Sequence, residues 1–327
     1  MPKDEDVLAD RIGKPKTKPR KHRDWGGAII GFVLGLSALG LSRLGWLRLN
    51  WDFLSAFTVQ AAILAAAALL GLLMPRFKTL ATSIFLVLGL AAYGLWPSLP
   101  VSGDGPIPAG SKRLRVATFN IHLGIGHTDA ILTSLRGLDA DVVILAEFNG
   151  AAADMIKAIQ TQYPFFQICE NLDYCDTAIA SRFAFTPQNK MLVPDGPAIT
   201  AVRMGPEFSN TMIVGIHTAR FPRPELQNKQ MAALTQRLAK ETGPMIVAGD
   251  FNATGYSRLL QEFAKSLDLS IATSLPSFPS KLGLPQLAID QIMARRGIVP
   301  LGPQMAGDAA GSDHIPLARS FAIPIAP

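Results

Sequence analysis

The chain has 327 residues, of which 49% are hydrophobic, and it carries a formal net charge of +6 at pH 7. Its length exceeds that of one average domain, and its apolar content excludes a chain that is disordered throughout. From Lys112 to Pro327 there are 19 Lys and Arg against 18 Asp and Glu, so the basic character belongs to the first 111 residues. The larger part of the chain lacks the broad basic face of a protein that grips duplex DNA non-specifically.

The N-terminal third combines a basic stretch with three apolar segments. Residues 1–24 are polar and rich in Lys and Arg, so we expect them to form a disordered cytoplasmic segment. The apolar segments, which carry no internal charge, are about Trp25–Ser42, Phe53–Met74 and Leu80–Trp96. Each is close to the ~20 residues that cross the hydrocarbon core of a bilayer. Buried core helices are the alternative, but the short loops between the segments favour three transmembrane helices within residues 25–96.

Lys and Arg residues in the connecting loops predict the orientation of these spans. Arg76 and Lys78 lie between the second and third segments, on the same side as the basic N-terminus. Arg43 and Arg48 lie between the first and second segments, which weakens the contrast without reversing it. The positive-inside rule places the N-terminus in the cytoplasm, so three crossings put everything after Trp96 on the other side. The sequence therefore predicts a multi-pass membrane protein with a large extracytoplasmic part.

Residues 97–111 are rich in Pro and Gly and predict a linker, which leaves residues 112–327 for a second domain. Its helical patterns fall at Thr128–Gly137, Ala151–Tyr163, Glu225–Lys240 and Ser257–Lys265. Strand-like apolar runs lie between and around these helices. This mixture predicts a layered α/β or α+β domain that is large enough for a core of its own.

The two cysteines, Cys169 and Cys175, bracket five residues that are typical of a turn between two strands. A disulfide across this turn is expected outside the cytoplasm. Two free buried thiols are the alternative, because a sequence gives no distance between the two Cα atoms. A zinc site is not favoured, since five residues separate the cysteines and no histidine lies nearby in the sequence.

Polar side chains suited to phosphate and metal chemistry follow the apolar runs of the second domain. The run Met245–Gly249 leads into Asp250, with Asn252 two positions later. In an extended chain these two side chains point to the same side, and a carboxylate beside a carboxamide suits holding a water or a hard cation. An Asx-turn is the alternative for this pair alone. The same arrangement recurs, however, where Asn120, Glu147 and His217 follow apolar runs and where Asp290 follows Leu287–Ile289, while Ser312-Asp313-His314 opens a further run, which points to a single site.

In this order, five segments resemble the endonuclease/exonuclease/phosphatase superfamily. They are Thr118–Ile121, Leu145–Glu147, Gly215–Thr218, Ala248–Ala253 and Gly311–Leu317. With three preceding apolar segments, the chain is most similar to a bacterial membrane-anchored branch of that superfamily. The resemblance implies a DNase I-like four-layer α/β/β/α sandwich with the active site at one rim of its two sheets. It also implies that this catalytic domain lies on the periplasmic side of the inner (cell) membrane.

The resemblance further implies a metal site. Glu147 would be the main ligand of Mg²⁺, with Asn120 beside it and Asp313 nearby. A hard cation with oxygen ligands fits these residue types, and Mn²⁺ is the other ion considered.

The remaining motif residues are implied to act on the phosphoryl group. Asp250 would accept the proton of the attacking water, and Asn252 would orient that water or a phosphate oxygen. His217 and His314 would stabilise charge or protonate the leaving oxygen. Asp290 would pair with His314 and fix its tautomer.

Four other positions are further candidates for the site. Gln291 stands where many relatives have His or Tyr, which leaves that contact open. Arg182 follows a strand and is a candidate for binding a substrate phosphate, although an ion pair is the commoner role of such an arginine. His122 and His127 lie in the loop after Asn120 and are candidate substrate contacts, with exposed loop histidines as the alternative.

The main hypothesis is a membrane-anchored, Mg²⁺-dependent hydrolase that cleaves a phosphodiester, such as nucleic acid or a small phosphodiester, outside the cytoplasm. A phosphomonoesterase, or a phosphodiesterase that acts on phospholipid at the bilayer surface, is the alternative enzyme. A non-catalytic binding module is the alternative from another class. It is disfavoured because Glu147, Asp250 and His314 are all present. The substrate cannot be predicted, since specificity in this superfamily lies in loops.

Overall fold

The computed structural model describes residues 26–73, 106–124, 128–148, 153–169, 175–188, 193–271, 275–282, 286–295 and 297–325. The predictions made for residues 1–24, for the third apolar segment at Leu80–Trp96, for most of the linker and for His127 therefore fall outside the described residues.

Six α-helices lie within the described residues. They are α1 (Gly26–Leu41), α2 (Thr58–Leu73), α3 (Thr128–Leu138), α4 (Ala153–Gln160), α5 (Pro224–Leu238) and α6 (Arg258–Ser266). α5 begins at Pro224, whose fixed φ suits the first helical position. α6 is capped by Ser257, whose hydroxyl accepts a hydrogen bond from the Leu260 N–H at 3.1 Å. All four helices predicted within residues 112–327 are present, with somewhat different ends.

The strands form two six-stranded mixed sheets. Across the first sheet the order is β11 (Val299–Ala306), β12 (Leu317–Ile323), β1 (Lys112–Asn120), β2 (Val142–Ala146), β4 (Thr177–Ser181) and β3 (Phe165–Ile168). Across the second it is β5 (Phe185–Pro187), β6 (Ala198–Met204), β7 (Met212–His217), β8 (Met245–Asp250), β10 (Asp290–Arg295) and β9 (Leu269–Ser270). Each sheet has one parallel pair near its centre, β1 with β2 and β7 with β8.

Alternate side chains of the central strands belong to different layers of the core, as the pleat of a strand requires. Val142 and Ile144 of β2 pack between the two sheets, whereas Val143 and Leu145 pack against residues of α3 and α4. On the other side, Val214 of β7 belongs to a cluster with residues of α5 and α6. The layers are therefore helices, sheet, sheet and helices. The predicted two-sheet α/β sandwich is confirmed.

The first two apolar segments contain α1 and α2. α1 and α2 have 16 residues each, and between them residues 44–46 and 49–57 form 3₁₀ helices. Among the residues that the structure describes, no helix is long and apolar enough to span a bilayer. The two predicted transmembrane helices that overlap the described residues are thus not supported. The start of the second predicted span, at Phe53, belongs to a 3₁₀ helix that contacts the second domain.

Asp52 holds the segment between α1 and α2, residues Arg43–Phe57, against the second domain. Its buried carboxylate accepts a hydrogen bond from the Ser257 hydroxyl at 2.5 Å. The same carboxylate accepts hydrogen bonds from the backbone N–H groups of Arg258 at 2.9 Å and Leu259 at 3.1 Å. N–H groups in the first turn of a helix have no partner within the helix, and a negative charge there is favoured by the helix dipole. The segment between the two apolar helices is therefore fixed to α6.

Cys169 and Cys175 form a disulfide, with Cα atoms 5.8 Å apart. Cys169 directly follows β3 and Cys175 lies just before β4, and these two strands are antiparallel neighbours. The bridge therefore ties together the two ends of the β3–β4 connection. This arrangement agrees with the prediction of a disulfide rather than two free thiols.

Candidate active site

The carboxyl ends of the two parallel strand pairs meet at one rim of the sandwich. β1 ends at Asn120 and β2 leads into Glu147, while β7 ends at His217 and β8 at Asp250. Parallel neighbours end at the same edge of a sheet, and β1 packs against β8 across the core. Four of the predicted residues therefore meet where the two sheets face each other, which is the usual place for a site in sheets of this kind.

Antiparallel strands contribute to the same rim with their first residues rather than their last. The sequence analysis placed Asp290 at the end of a strand formed by Leu287–Ile289, and this was wrong, because Asp290 begins β10. β10 runs antiparallel to β8, so Asp290 still lies opposite Asp250. In the same way, β4 is antiparallel to β2, and Asp176, the residue before β4, lies beside the end of β2.

Asp250 occupies the centre of the cluster. Its Oδ2 atom accepts a hydrogen bond from Asn120 Nδ2 at 3.0 Å and lies 3.8 Å from His217 Nε2 and 3.7 Å from His314 Nε2. Burial raises the pKa of the Asp250 carboxyl, as does the nearby Asp290 carboxylate, while the two histidines act in the opposite direction. A buried carboxylate with a raised pKa and two imidazoles in reach is suited to accepting a proton.

Asp290 orients His314 towards that carboxylate. Asp290 Oδ2 lies 2.7 Å from His314 Nδ1, and both side chains are buried. The loop is held by Ser312, whose hydroxyl donates to the Asn120 carbonyl at 2.7 Å and accepts the His314 N–H at 3.0 Å. Burial alone would lower the pKa of His314, but the Asp290 and Asp250 carboxylates outweigh it and raise the pKa to about 9. The imidazole is therefore protonated at neutral pH in the metal-free protein.

A second pair of the same kind, which the sequence analysis missed, approaches Asp250 from the other side. His217 Nδ1 lies 2.6 Å from Asp176 Oδ2. Burial would lower the pKa of His217, but the hydrogen bond to Asp176 and the nearby Asp250 and Glu147 carboxylates raise it to about 9. The signal that would have found Asp176 is its position directly before a strand that is antiparallel to β2. The site is thus a carboxylate between two oriented imidazoles.

Two residues of the rim have left-handed backbone conformations. Glu147, directly after β2, has a φ of 54°, and Asn252, two residues after the end of β8, has a φ of 47°. Asn tolerates this region, whereas Glu adopts it at a cost of about 1–3 kcal/mol, which surrounding contacts must offset. Asn252 is held by its N–H, which donates to Asp250 Oδ1 at 2.8 Å, and by its Nδ2, which donates to the Thr218 carbonyl at 3.0 Å. The carboxamide oxygen of Asn252 has no hydrogen-bond partner among the residues that the structure describes.

Glu147, Asn120 and Asp313 have the oxygen atoms that a divalent cation requires. Glu147 Oε2 lies 3.6 Å and Asp313 Oδ1 3.2 Å from the same atom, Nδ1 of the half-exposed His122, so the two carboxylates face a common point. Asn120 donates from Nδ2 to Glu147 Oε1 at 3.2 Å, which keeps its carboxamide beside this point. Two carboxylates that converge with a carboxamide fit a hard cation such as Mg²⁺ or Mn²⁺.

A second group of possible ligands consists of Asp250, Asp290 and His314, whose ligand atoms lie within 4.8 Å of one another. Asp290 already contacts Nδ1 of His314, which turns the opposite ring nitrogen towards Asp250. All three side chains are buried. This geometry fits an oriented acid–base pair better than a cation site.

Arg182, the predicted phosphate contact, lies outside this rim. β4 is antiparallel to β2, so the end of β4 at Ser181 lies beside the start of β2, at the opposite edge of the sheet. There the Arg182 guanidinium donates to Asp139 Oδ1 at 2.6 Å. This ion pair holds the pKa of the Asp139 carboxyl below its usual range. Arg182 therefore has the ion-pair role that was the alternative.

Gln291 makes structural contacts beneath the site. Its buried Nε2 donates to the backbone carbonyls of Ala288 at 2.7 Å and Ala253 at 3.2 Å. These bonds connect the residues after β8 with the residues before β10. Gln291 thus braces the chain on either side of Asp250 and Asp290.

Comparisons with known proteins agree with this geometry. A sequence profile described as "Endonuclease/Exonuclease/phosphatase family" matches residues 117–314, more than half of the chain. A search of curated proteins found no match.

Similar solved structures were also found. ANGEL2, a 2′,3′-cyclic phosphatase solved with adenosine-2′,3′-vanadate, superposes with a TM-score of 0.53 at 15% identity, over 66% of this chain and 97% of its own. An endonuclease/exonuclease/phosphatase from Beutenbergia cavernae DSM 12333 gives a TM-score of 0.51 at 18% identity, over 65% of this chain and 72% of its own. Humanized D. rerio TDP2 gives a TM-score of 0.51 at 15% identity, over 64% of this chain and 98% of its own. At these identities the likeness establishes the fold alone.

The profile match covers the strands and loops that carry the rim, from β1 to His314. Every motif residue that the resemblance assigned to the metal or to the phosphoryl group lies at that rim, with Asp176 in addition. The chain therefore belongs to the endonuclease/exonuclease/phosphatase family and is a metal-dependent enzyme that hydrolyses phosphoester bonds.

Proposed function

We propose that the enzyme hydrolyses a phosphodiester with Mg²⁺, or Mn²⁺, as its cofactor. The observation that carries the proposal is the position of Asp250 Oδ2, which lies 3.8 Å from His217 Nε2 and 3.7 Å from His314 Nε2. A single base flanked by two proton donors suits a displacement in which a water loses a proton and a leaving oxygen gains one. The non-catalytic binding module is no longer retained, because family membership makes the chain an enzyme.

Each residue then has a defined task. Asp250 takes the proton of the attacking water at its Oδ2 atom, and Asn252 orients that water or a phosphate oxygen through its carboxamide oxygen. His217 and His314 present their Nε2–H groups to the phosphoryl oxygens, and one of them gives its proton to the leaving oxygen. Asp176 and Asp290 hold the two imidazoles in this orientation and favour their protonated form.

Glu147, Asn120 and Asp313 are proposed to hold the cation. The support is the convergence of the Glu147 and Asp313 carboxylates on one point, with the Asn120 carboxamide beside it. When bound, a divalent cation there would neutralise negative charge on the phosphoryl oxygens.

A phosphodiesterase that acts on lipid is a second candidate, and one observation favours it. Phe221, which is 61% exposed on the loop after His217, packs on Phe53 with ring centroids 4.6 Å apart. Phe53 belongs to the segment that joins α1 to α2. The rim of the site is thus in contact with the segment between two apolar helices, where a lipid substrate would approach.

We also propose that the chain is anchored in the bacterial inner membrane with its catalytic domain in the periplasm. α1 contains no charged residue and exposes large apolar side chains, including Ile30, Val33 and Leu34. The segment Arg43–Phe57 rests on the catalytic domain, and three crossings would indeed put that segment and the domain on the same side. An alkaline-phosphatase fusion after Trp96 should be active and one after Met74 inactive. The reverse pattern would place the catalytic domain in the cytoplasm.

The enzymatic proposal is tested with the full-length chain purified in detergent. Hydrolysis of DNA, RNA, phospholipid, small phosphodiesters and small phosphomonoesters is measured with Mg²⁺, with Mn²⁺ and with a chelator. We expect metal-dependent cleavage of a phosphodiester. Cleavage of phosphomonoesters alone, or no hydrolysis of any of these compounds, would refute it.

The metal assignment is tested with Glu147→Gln. Loss of a partner outside the first coordination shell already costs about 10–100-fold in metal affinity, so loss of a direct ligand should raise the required Mg²⁺ concentration by at least as much. Excess Mg²⁺ should restore part of the activity. Glu262→Gln, an exposed position on α6, is the matched control and should behave as wild type. An unchanged Mg²⁺ requirement in Glu147→Gln would place the ion elsewhere.

A further inference from the structure

The loop that follows β7 forms one wall of a cavity of about 490 Å³ at the mouth of the site. Glu147, Asp176 and His217 line it from the side of the strand ends. Arg220, Phe221 and Arg223 are among the loop residues that line it. The cavity therefore joins the place where the scissile phosphate would bind to two arginines that have no part in the mechanism above.

Within the described residues, the two arginines form no ion pair, in contrast to several other arginines of this domain. Arg115, Arg182, Arg203, Arg237 and Arg258 each form an ion pair with a carboxylate. Within the described part of the chain, neither the Arg220 nor the Arg223 guanidinium has a carboxylate oxygen within 4.0 Å, and both side chains are exposed. A guanidinium offers several N–H donors in a planar fork that matches phosphate oxygens. Two such groups beside a phosphoesterase site are suited to an anion supplied by the substrate.

The backbone holds the two arginines in one turn. The Arg223 N–H donates to the Arg220 carbonyl at 3.0 Å, so both side chains leave the same tight turn. The loop is anchored at its start, because the Thr218 N–H donates to the Asp250 carbonyl and the Ala219 N–H donates to Gln230 Oε1 at 2.7 Å.

A contact from outside the catalytic domain supports the same turn. The Phe221 ring, between the two arginines, packs on Phe53 of the segment Arg43–Phe57. The pair of guanidiniums is thus presented from a braced loop, which lowers the entropy lost when an anion is bound.

We propose that Arg220 and Arg223 form a subsite for a second phosphate group of the substrate, next to the phosphodiester that is cleaved. The inference rests on the proposed function and deepens it, since it selects substrates that carry two neighbouring phosphate groups. Both a nucleotide chain and a phosphorylated lipid headgroup have this chemistry. A simple diester without a second anionic group would leave the two guanidiniums without a partner.

The test compares matched ligands that differ by one phosphate. For hydrolysis, they are thymidine 5′-(4-nitrophenyl phosphate) with and without a 3′-phosphate. For binding in the presence of a chelator, they are thymidine 3′,5′-bisphosphate against thymidine 5′-phosphate, and glycerophosphoinositol 4-phosphate against glycerophosphoinositol. The protein is the full-length chain in detergent, and the dissociation constants are measured by calorimetry.

In the wild type, the second phosphate should raise kcat/KM and tighten binding by about tenfold or more, as expected for hydrogen bonds between charged groups. In the double variant Arg220→Gln/Arg223→Gln this advantage should fall to about twofold or less, since no positive charge remains on the turn. Arg136→Gln is the control, because Arg136 is an exposed arginine near the C-terminal end of α3, next to the opposite rim. It should keep the full advantage.

The outcomes separate the subsite from the proposed function. An advantage confined to the nucleotide pair or to the inositol pair assigns the source of the second phosphate and supports the subsite. The subsite is refuted if the second phosphate gives no advantage in either ligand pair. It is also refuted if that advantage remains in the double variant. Absence of all hydrolysis would refute the proposed function, while the binding measurements would still decide on the two arginines.

Discussion

Replacing Asp250 by asparagine should lower kcat by about 10²–10⁴-fold, the range that a general base supplies. Asn has the shape of the carboxylate but only one acceptor oxygen, so it keeps the hydrogen bond from either Asn120 or Asn252, and it cannot take a proton from water. Raised Mg²⁺ should not rescue this variant, in contrast to Glu147→Gln. The measurement is kcat for the best substrate of the screen across a range of Mg²⁺ concentrations.

The stability of the same variant provides a second readout. Burial raises the pKa of the Asp250 carboxyl, and a group whose pKa is raised on folding destabilises the folded state when it is ionised. Asp250→Asn removes this ionised group together with one hydrogen-bond acceptor, so at neutral pH the unfolding temperature should change much less than the activity. Asp139→Asn, at the opposite rim, is the control and should keep its kcat. Recovery of Asp250→Asn activity by excess Mg²⁺ would show that Asp250 acts on the ion rather than on the proton.

Asp290→Asn should move the pKa of His314 downward from about 9 towards its ordinary value of 6.5, because the largest influence that raises it is removed while burial, which lowers it, remains. NMR titration of histidine-labelled, metal-free protein measures this directly. At pH 8 most of the imidazole would then be neutral, and if its proton is required kcat should fall by up to about 30-fold from lost protonation and further from the lost orienting contact. His314→Ala combined with Asp290→Asn should lose little more than either change alone, since the two residues act as a unit.

The same substitution has a consequence for stability against pH. The raised pKa of His314 stabilises the folded protein fully below pH 6.5, and this contribution is lost as the pH rises through about 9. For one histidine shifted this far, the loss is about 3 kcal/mol, and it should become smaller in Asp290→Asn.

Asp176→Asn serves as the comparison, because it should lower the pKa of His217 and leave the pKa of His314 unchanged. If both variants shifted both histidines equally, the two pairs would not be independent.

The positions that the sequence predicted well are those that follow from strand direction alone. Asn120, Glu147, His217 and Asp250 each come at or directly after the end of an apolar run. Runs that become parallel neighbours bring their ends to one edge. This argument from strand direction does not require the order of the strands in the sheet, provided that neighbouring strands are parallel. This is why the core of the site could be predicted from periodicity and residue type.

The rule fails where strands are antiparallel, because the pairing then decides which end of a strand reaches the site. Asp176 was missed since it precedes a strand, and Arg182 was included since it follows the same one, β4. One fact, the antiparallel pairing of β4 with β2, reverses both assignments. Asp290 was included because it belongs to a motif, although the sequence analysis placed the strand before Asp290 and β10 in fact begins at it.

The N-terminal segments show a different limit of local reasoning. The composition of Trp25–Ser42 and Phe53–Met74 predicts two helices, and helices occur in both. Hydropathy indicates whether a segment favours an apolar or an aqueous environment. It carries no information about contacts with distant residues. No sequence pattern predicts the hydrogen bond between Asp52 and Ser257 or the packing of Phe53 on Phe221.

The buried contact of Asp52 means that the enzymatic part of the chain does not begin at residue 112. A protein shortened to start at Lys112 would leave the Ser257 hydroxyl and two N–H groups of α6 without their acceptor and would uncover the surface beneath Phe53. The missing part is short and contiguous, so a synthetic peptide of residues 43–57 can be added in trans to complement such a fragment. The catalytic unit is thus assembled from two stretches of chain that α2 and the residues after it keep apart in sequence.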